Sequence, residues 1–266
     1  MGKLVIVASG KGGTGKTTFT SQVGTLLSAL GHMTVLVDAD AGFRNLDIAL
    51  GLESNVVYDY SDFISGNADI DEILIKSSGY ENLYFVAAPQ RAATTDFDSQ
   101  RTKFFWDTLK SRFDYVLADA PAGMGDGFRF AADYADEAVI VSLAESSSLR
   151  DADRCIEAFE ESGIETMHLV LNRIRPELIK NKVLMNIDDC IDVLSIPILG
   201  IVPDDVLVTQ CVALGKPLES SDNGAAKAFS NIARRMTGES IPMMDFDKPS
   251  KNTIWSRMRQ TFKKSQ

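Results

Sequence analysis

Gly10 to Thr17, Gly-Lys-Gly-Gly-Thr-Gly-Lys-Thr, constrains this chain more than any other eight residues in it. It fits the spacing G-x-x-x-x-G-K-[ST], following the apolar run Leu4–Ala8 and opening the amphipathic pattern Thr17–Leu30. Glycines there let the backbone bend until several N–H groups point inward together, and the first turn of the following helix adds its dipole, so the product is a phosphate cradle. The pattern predicts that Gly10, Gly12, Gly13, Thr14, Gly15, Lys16, Thr17 and Thr18 surround nucleotide phosphates. Lys16 would neutralise the β- and γ-phosphates, and the Thr17 hydroxyl would reach Mg²⁺. The bland alternative is an ordinary glycine-rich turn between a strand and a helix.

The rest of the chain repeats the alternation that this loop begins. Strand candidates are Leu4–Ala8, Thr34–Asp38, Leu83–Ala87, Tyr115–Asp119, Ala138–Ser142, His168–Asn172 and Ile198–Val202. Several are apolar throughout, as strands covered on both faces are. Helical patterns fall between or after them at Thr17–Leu30, Thr102–Arg112, Arg150–Glu161, Asp204–Leu214 and Asp222–Met236. Together they predict an α/β fold: a single-domain, mostly parallel twisted sheet with helices on both faces. Residues 1–237 form that domain, and residues 238–252, where glycine, two prolines and mixed charges break the pattern, read as a linker.

Charge and cysteine content narrow the function classes. The net charge is −10, and the five cations in residues 251–266 leave 22 basic and 37 acidic groups, a net −15, in residues 1–250. Such a body repels nucleic acid over most of its surface. Cys155, Cys190 and Cys211 lie far apart with no C-x-x-C pair, so they read as reduced, buried, small apolar groups rather than cluster ligands. No apolar run reaches the ~18 residues that a membrane span needs. The first strand begins almost at once, with no signal peptide expected before it.

Asp38, Asp40 and Asp119 close two of the apolar strands or follow them directly. Carboxylates beyond the carboxyl edge of a parallel sheet face the crevice where ligands bind, which sets all three beside the phosphate loop. One carboxylate could hold the magnesium shell and another could orient an attacking water. Taken singly, each is also a common turn or cap residue. Lys11 poses a separate question, because Lys16 already supplies the cradle's cation. A lysine on the outer side of the turn could reach the phosphates of a facing subunit, as an arginine finger does in trans, or it could be a solvated surface lysine.

The stretch KGGTGKT resembles the deviant phosphate loop, K-G-G-x-G-K-[ST], of the MinD/ParA class of P-loop ATPases. The likeness extends through DADAGFRNLDIALGLESN, ENLYFVAAPQ, DAPAGMGDG, YADEAVIVSLAESSSLRDADR and GIVPDDVLVTQCVALGKPL, essentially the whole chain, and is greatest to the division-site branch of the class. That resemblance implies ATP and Mg²⁺ as cofactors, a homodimer that clasps two ATP molecules, and a catalytic role for Lys11 across the interface. It further implies Asp38 and Asp119 in the Mg²⁺ shell and Asp40 with Asn45 positioning the hydrolytic water. Asn172 would read adenine, flanked by Arg173 and Pro203, and Arg150, Asp151 and Asp153 would lie on a partner-binding surface. A solvated helix face is an equal reading of that last group. The implied partners are a septum inhibitor such as MinC and a MinE-like or DivIVA-linked topological factor, and the implied place is the inner face of the cell membrane.

The chain's end carries a second pattern. Set on a helix, Ile254, Trp255, Met258 and Phe262 fall within an arc of about 100°, with Arg257, Arg259, Lys263 and Lys264 outside it. Residues 253–266 therefore read as an amphipathic helix lying on anionic lipid, too weak alone and effective when two are held together. A disordered basic end, a helix packed on the domain and a nucleic-acid patch are the other readings. Competing functions are a ParA-like DNA-partitioning ATPase, a flagellar-number ATPase of the FlhG type, disfavoured by the short lead into the first strand, and an iron–sulfur carrier, disfavoured by the cysteines.

Overall fold

The computed structural model describes residues 1–90, 98–218 and 223–243. Among these described residues eight strands form one sheet: β1 Lys3–Ala8, β2 Thr34–Asp38, β3 Ile75–Lys76, β4 Leu83–Val86, β5 Tyr115–Asp119, β6 Glu137–Ser142, β7 Met167–Ile174 and β8 Ile198–Pro203. Their order is β3-β4-β2-β5-β1-β6-β7-β8, with every pairing parallel except β3 on β4. The α-helices are α1 Lys16–Ala29, α2 Leu46–Leu50, α3 Tyr60–Ser65, α4 Ile70–Ile73, α5 Ser99–Arg112, α6 Asp126–Ala132, α7 Ser146–Glu161, α8 Pro176–Lys180, α9 Ile187–Leu194, α10 Val206–Ala213 and α11 Gly224–Met236.

All seven expected strands form. The eighth, β3, is a two-residue strand with no period to read. Successive residues of a strand face opposite sides of the sheet, and the two cores divide accordingly. Val5, Val7, Leu36, Leu117 and Val139 pack with Phe19, Val23 and Leu27 of α1 and Phe229 and Ile232 of α11. Leu4, Ile6, Val37, Val116 and Ile140 pack with Phe105, Trp106 and Leu109 of α5, Phe128 of α6, and Ile156 and Phe159 of α7. The one indole N–H in that second core, on Trp106, donates to the Phe130 carbonyl at 2.8 Å, so the ring is buried without an orphaned donor.

β1 lies in the middle of the sheet, and the chain leaves it toward β2 on one side and later crosses to β6 on the other. That reversal opens a crevice at the carboxyl ends of the central strands. Cys155 and Cys190 are buried as expected, whereas Cys211 is only partly so, because α10 lies at the surface. Residues 239–242, inside the expected linker, are tied back to α11: Arg234 pairs with Glu239, and Arg235 donates to the carbonyls of Ile241 and Pro242. The proposed amphipathic segment 253–266 and the residues 244–252 before it lie outside the described residues. Among the described residues no helix is long and apolar enough to cross a membrane.

Candidate nucleotide site

The loop between β1 and α1 borders a cleft of about 750 Å³ at the carboxyl edge of the sheet. Gly13 and Gly15 sit at φ +82° and +98°, where a side chain would be strained. Gly15 has a second reason to be glycine, since a Cβ there would lie 2.3 Å from Asn172 Nδ2. Gly10 is fixed by packing instead: a Cβ would stand 2.1 Å from the carbonyl oxygen of Asp151, so this glycine lets α7 lie directly behind the loop. The N-cap of α1 is Gly15, which offers no capping side chain, and the first N–H groups of the helix are left for an anion. Lys16 is 9% exposed and donates from Nζ to Ser9 Oγ at 3.0 Å, while Ser9 Oγ donates to the Lys11 carbonyl at 2.6 Å. The ammonium is thereby held at the floor of the cradle.

β5 inserts between β1 and β2, and its register sets Asp38 directly opposite Asp119. By the period of two, both side chains share the face of Leu36 and Leu117, which is the α1 face. There Thr17 Oγ1 donates to Asp119 Oδ2 at 2.6 Å and Thr20 Oγ1 to its Oδ1 at 3.3 Å. Asp38 accepts from the N–H groups of Asp40 at 2.9 Å and Leu46 at 3.1 Å. Burial pushes the Asp119 carboxyl up to about 7, with Asp38's charge adding to the rise and Thr17, Lys16 and Thr20 opposing it. Burial likewise pushes Asp38 up to about 6 against its two backbone hydrogen bonds. Asp40, half-buried, is raised by burial and drawn back by Lys16. Two adjacent buried carboxylates thus stand with a hydroxyl at hand and one ammonium acting on Asp119, and this set of hard oxygen donors short of positive charge fits Mg²⁺.

Asp40 and Asn45 both line the cleft, Asn45 from the N-cap position of α2. Asn172, Arg173 and Pro203 line the same cleft, together with Val208 and Val212 of α10. The expected strand end at Asn172 is not where β7 stops. The strand continues to Ile174, and its pairing with β8 slips between Leu171 and Ile174, with Arg173 at φ +54°. An irregularity of this kind re-aims side chains. Asn172 turns to the phosphate loop, where Nδ2 donates to the Thr14 carbonyl at 2.7 Å and Oδ1 accepts from Arg173 N–H at 2.9 Å. The side chain of Arg173 bends away to Asp204, which also accepts from Arg175. Burial would raise the Asp204 carboxyl, but these two guanidinium hydrogen bonds outweigh it and hold the group below its usual range.

Lys11 is not among the residues lining the cleft. It is 45% exposed, with Nζ 3.9 Å from Glu145 Oε2 just before α7. Arg150 and Asp153 are exposed on α7, and Asp151 is half-buried with its backbone behind Gly10. Sequence reasoning missed Ser9, Thr20 and the α10 wall. Ser9 was detectable as a polar residue closing an apolar strand, and Thr20 as the residue one helical turn after Lys16. Nothing local marks Val208 or Val212.

Comparison with known proteins agrees with this geometry. Residues 5–218 match the CobQ/CobB/MinD/ParA nucleotide binding domain. The septum site-determining protein MinD of Synechocystis sp. is 40% identical over 262 residues, 98% of each chain. Among solved structures, the MinC:MinD cell division protein complex of Aquifex aeolicus matches with a TM-score of 0.85 at 35% identity, covering 91% of this chain and 99% of that one. MinD of Pyrococcus horikoshii, complexed with Mg-ADP, matches with a TM-score of 0.80 at 25% identity, covering 89% and 96%.

Proposed function

The chain belongs to the CobQ/CobB/MinD/ParA nucleotide-binding family, in its septum site-determining branch, and from that membership we propose that it is an ATP-driven switch for placing the division septum. ATP lies with its phosphates over the loop Gly10–Thr18 and its base against Pro203, Val208 and Val212. Lys16 neutralises the β- and γ-phosphates, and the Thr17 hydroxyl with Asp38 and Asp119 holds Mg²⁺. When bound there, Mg²⁺ would supply charge that steadies the oxygens of the β- and γ-phosphates while the bond from the γ-phosphorus to the bridging oxygen breaks. Asp40 and Asn45 orient a water toward the γ-phosphorus; the water's oxygen bonds to phosphorus, the bridging oxygen leaves with ADP, and the proton passes to the released phosphate.

Asn172 has spent one N–H on Thr14 and one lone pair on Arg173. One donor and one acceptor remain, matching N7 and the 6-amino group of adenine and mismatching the two acceptors of guanine.

The observation that carries the switch reading is the separation of the two lysines. Lys16 is buried in the cradle, while Lys11 stands outside it, held only loosely by Glu145. A cation so placed serves a facing subunit's phosphates, so ATP assembles a homodimer and catalysis waits for it. Dimerisation presents two copies of residues 253–266 to anionic lipid at once, which multiplies a weak affinity. Hydrolysis then returns the protein from the inner membrane face. The solved complex of the Aquifex relative supports a MinC-like septum inhibitor as a partner, with Arg150, Asp151 and Asp153 on the surface that receives partners and a MinE-like or DivIVA-linked factor setting position.

Sizing chromatography and liposome sedimentation with ATP, ADP and a non-hydrolysable analogue test this reading. The wild type should be dimeric and lipid-bound with the analogue only. Lys11→Ala should bind nucleotide yet stay monomeric, and truncation after Pro249 should dimerise yet remain off the lipid. A strictly monomeric wild type at saturating analogue overturns the reading. DNA sedimentation in parallel reports on the partitioning alternative, against which the −15 body weighs.

A further inference from the structure

The segment Asp40–Leu46 wraps around the Asp38 carboxylate, which accepts from the N–H groups at both ends of the wrap. Asp40 and Asn45 reach the cleft from within it. Such a turn needs something to hold it closed, and its backbone is strained. Arg44 sits at φ +41°, where a residue with a long side chain is rarely found. Its guanidinium folds back onto Asp47, with Nη2 2.7 Å and Nε 3.2 Å from Asp47 Oδ2. The two side chains are 12% and 5% exposed, so the carboxylate of this ion pair is buried and the guanidinium largely so. Asp47 Oδ1 also accepts from the Ile48 N–H at 2.8 Å. The Arg44 N–H in turn donates to the Asp40 carbonyl at 3.3 Å. One residue thus touches the backbone of Asp40, adjoins Asn45 in the chain and anchors the whole turn to the first turn of α2.

We propose that Arg44, clamped on Asp47, is a positioning residue for ATP hydrolysis, holding Asp40 and Asn45 where they orient the attacking water. The inference rests on the water-positioning role given above to Asp40 and Asn45. A buried carboxylate that loses its guanidinium does not stay buried alone. The turn opens at Asp47, and the two cleft-facing side chains move with it. The phosphate loop, Lys16 and Asp119 are built separately from β1, β5 and α1, and Asp38 is fixed by its pairing with Asp119 at the end of β2, so nucleotide binding does not depend on the clamp.

The test compares Arg44→Gly, Arg44→Lys, Asp47→Asn and Asp40→Ala in the full-length protein, measuring Mg·ADP affinity, kcat and KM for ATP, and melting temperature. Arg44→Gly relieves the positive φ while deleting the guanidinium, so it separates strain from the ion pair. It should leave Mg·ADP affinity and KM within about threefold and lower kcat by about a hundredfold, the usual scale for a misplaced reacting group. Arg44→Lys, which restores a cation without the fork, should recover part of that loss. Asp47→Asn keeps the volume and should show the same fall in kcat, which covers the case in which Arg44→Gly does not fold. A normal kcat in both Arg44→Gly and Asp47→Asn overturns the proposal. So does a kcat that falls only in proportion to Mg·ADP affinity, because that marks general loss of the site. If Asp40→Ala itself turns over normally, the underlying water-positioning reading fails, a result distinct from failure of the clamp.

Discussion

The two walls of the cleft are built differently. On the phosphate side, Lys16, Thr20, Asp38 and Asp119 are each under 10% exposed and every one is hydrogen-bonded, Lys16, Thr20 and Asp119 to neighbours from the loop, β5 or α1 and Asp38 to the backbone of Asp40 and Leu46. On the base side, α10 buries no residue fully, its cleft-lining Val208 and Val212 included. Phe43 and Ile48, on the segment leading into α2 and on α2 itself, are 77% and 51% exposed at the same mouth. Apart from the cation that a facing subunit's Lys11 is proposed to add, the phosphate wall is packed and hydrogen-bonded within a single chain. Under the proposed function, nucleotide or a facing surface would cover the base wall, so its burial would depend on occupancy.

The sharpest way to break this comparison is to strike the finished wall. Lys16→Ala should lower ATP turnover about a thousandfold, the scale for losing one preorganised charge at a transition state. Melting without nucleotide should change by no more than a few degrees. Turnover assays on purified protein check it; activity within tenfold of wild type would show that the cradle does not dominate. The next effect concerns what backs that wall. Gly10→Ala must push α7 away, since its Cβ would meet the Asp151 backbone at 2.1 Å, whereas a Cβ on Gly12 meets only Ala122 Cβ at 3.8 Å. We expect Gly10→Ala to cost about 3 kcal/mol and Gly12→Ala under about 0.5 kcal/mol. At roughly 2–4 °C per kcal/mol for a chain near this size, thermal melts separate them easily.

The same contrast explains what was legible in the sequence. The loop, its leading strand and its helix are contiguous, so local chemistry alone fixes Gly13, Gly15, Lys16 and Thr17. Asp38 and Asp119 could be placed at a sheet edge, because each closes an apolar run. That they are direct neighbours could not be read, since it depends on β5 inserting between β1 and β2, a pairing between segments about 80 residues apart in the chain. Asn172 is legible as a polar residue closing an apolar strand, but the continuation of that strand to Ile174 is not, because a slip in pairing leaves no mark on hydropathy. The base wall was invisible as a wall: Val208 and Val212 look like any helix residues until β8 delivers α10 to the cleft. Lys11 stood out only by being one cation too many. The pattern of residues 253–266 was equally plain in the sequence and lies outside the described residues.

A smaller perturbation probes the open wall directly. Val208→Ala removes apolar surface from a partly buried position and so weakens packing against the base by about 1 kcal/mol. It should weaken ADP binding roughly three- to tenfold, with melting of the free protein nearly unchanged. Titration calorimetry reads the first quantity and a thermal melt the second. A loss of ADP affinity accompanied by an equal fall in the melting temperature of the free protein would erase the distinction between the walls.

The smallest effect lies within the finished wall and depends on pH. In metal-free protein, burial raises the Asp119 carboxyl from 3.8 to about 7 and that of Asp38 to about 6. Between those limits the folded protein keeps protons that the unfolded chain has released, so the contribution to stability is full at the acid end and is lost as pH rises. From pH 6 to pH 7 the loss is about 1 kcal/mol, or a few degrees of melting temperature. Asp119→Asn isolates it, because the amide has the shape of the protonated acid and does not titrate. In EDTA, the melting temperature of Asp119→Asn relative to wild type should climb as pH goes from 6 to 8. With Mg·ADP the order should reverse, since the ionised carboxylate then has its cation and the amide binds Mg²⁺ poorly. A difference between the two proteins that stays constant with pH in EDTA would mean that Asp119 is already ionised in the free protein, and that the phosphate wall is complete in charge as well as in shape before any ligand arrives.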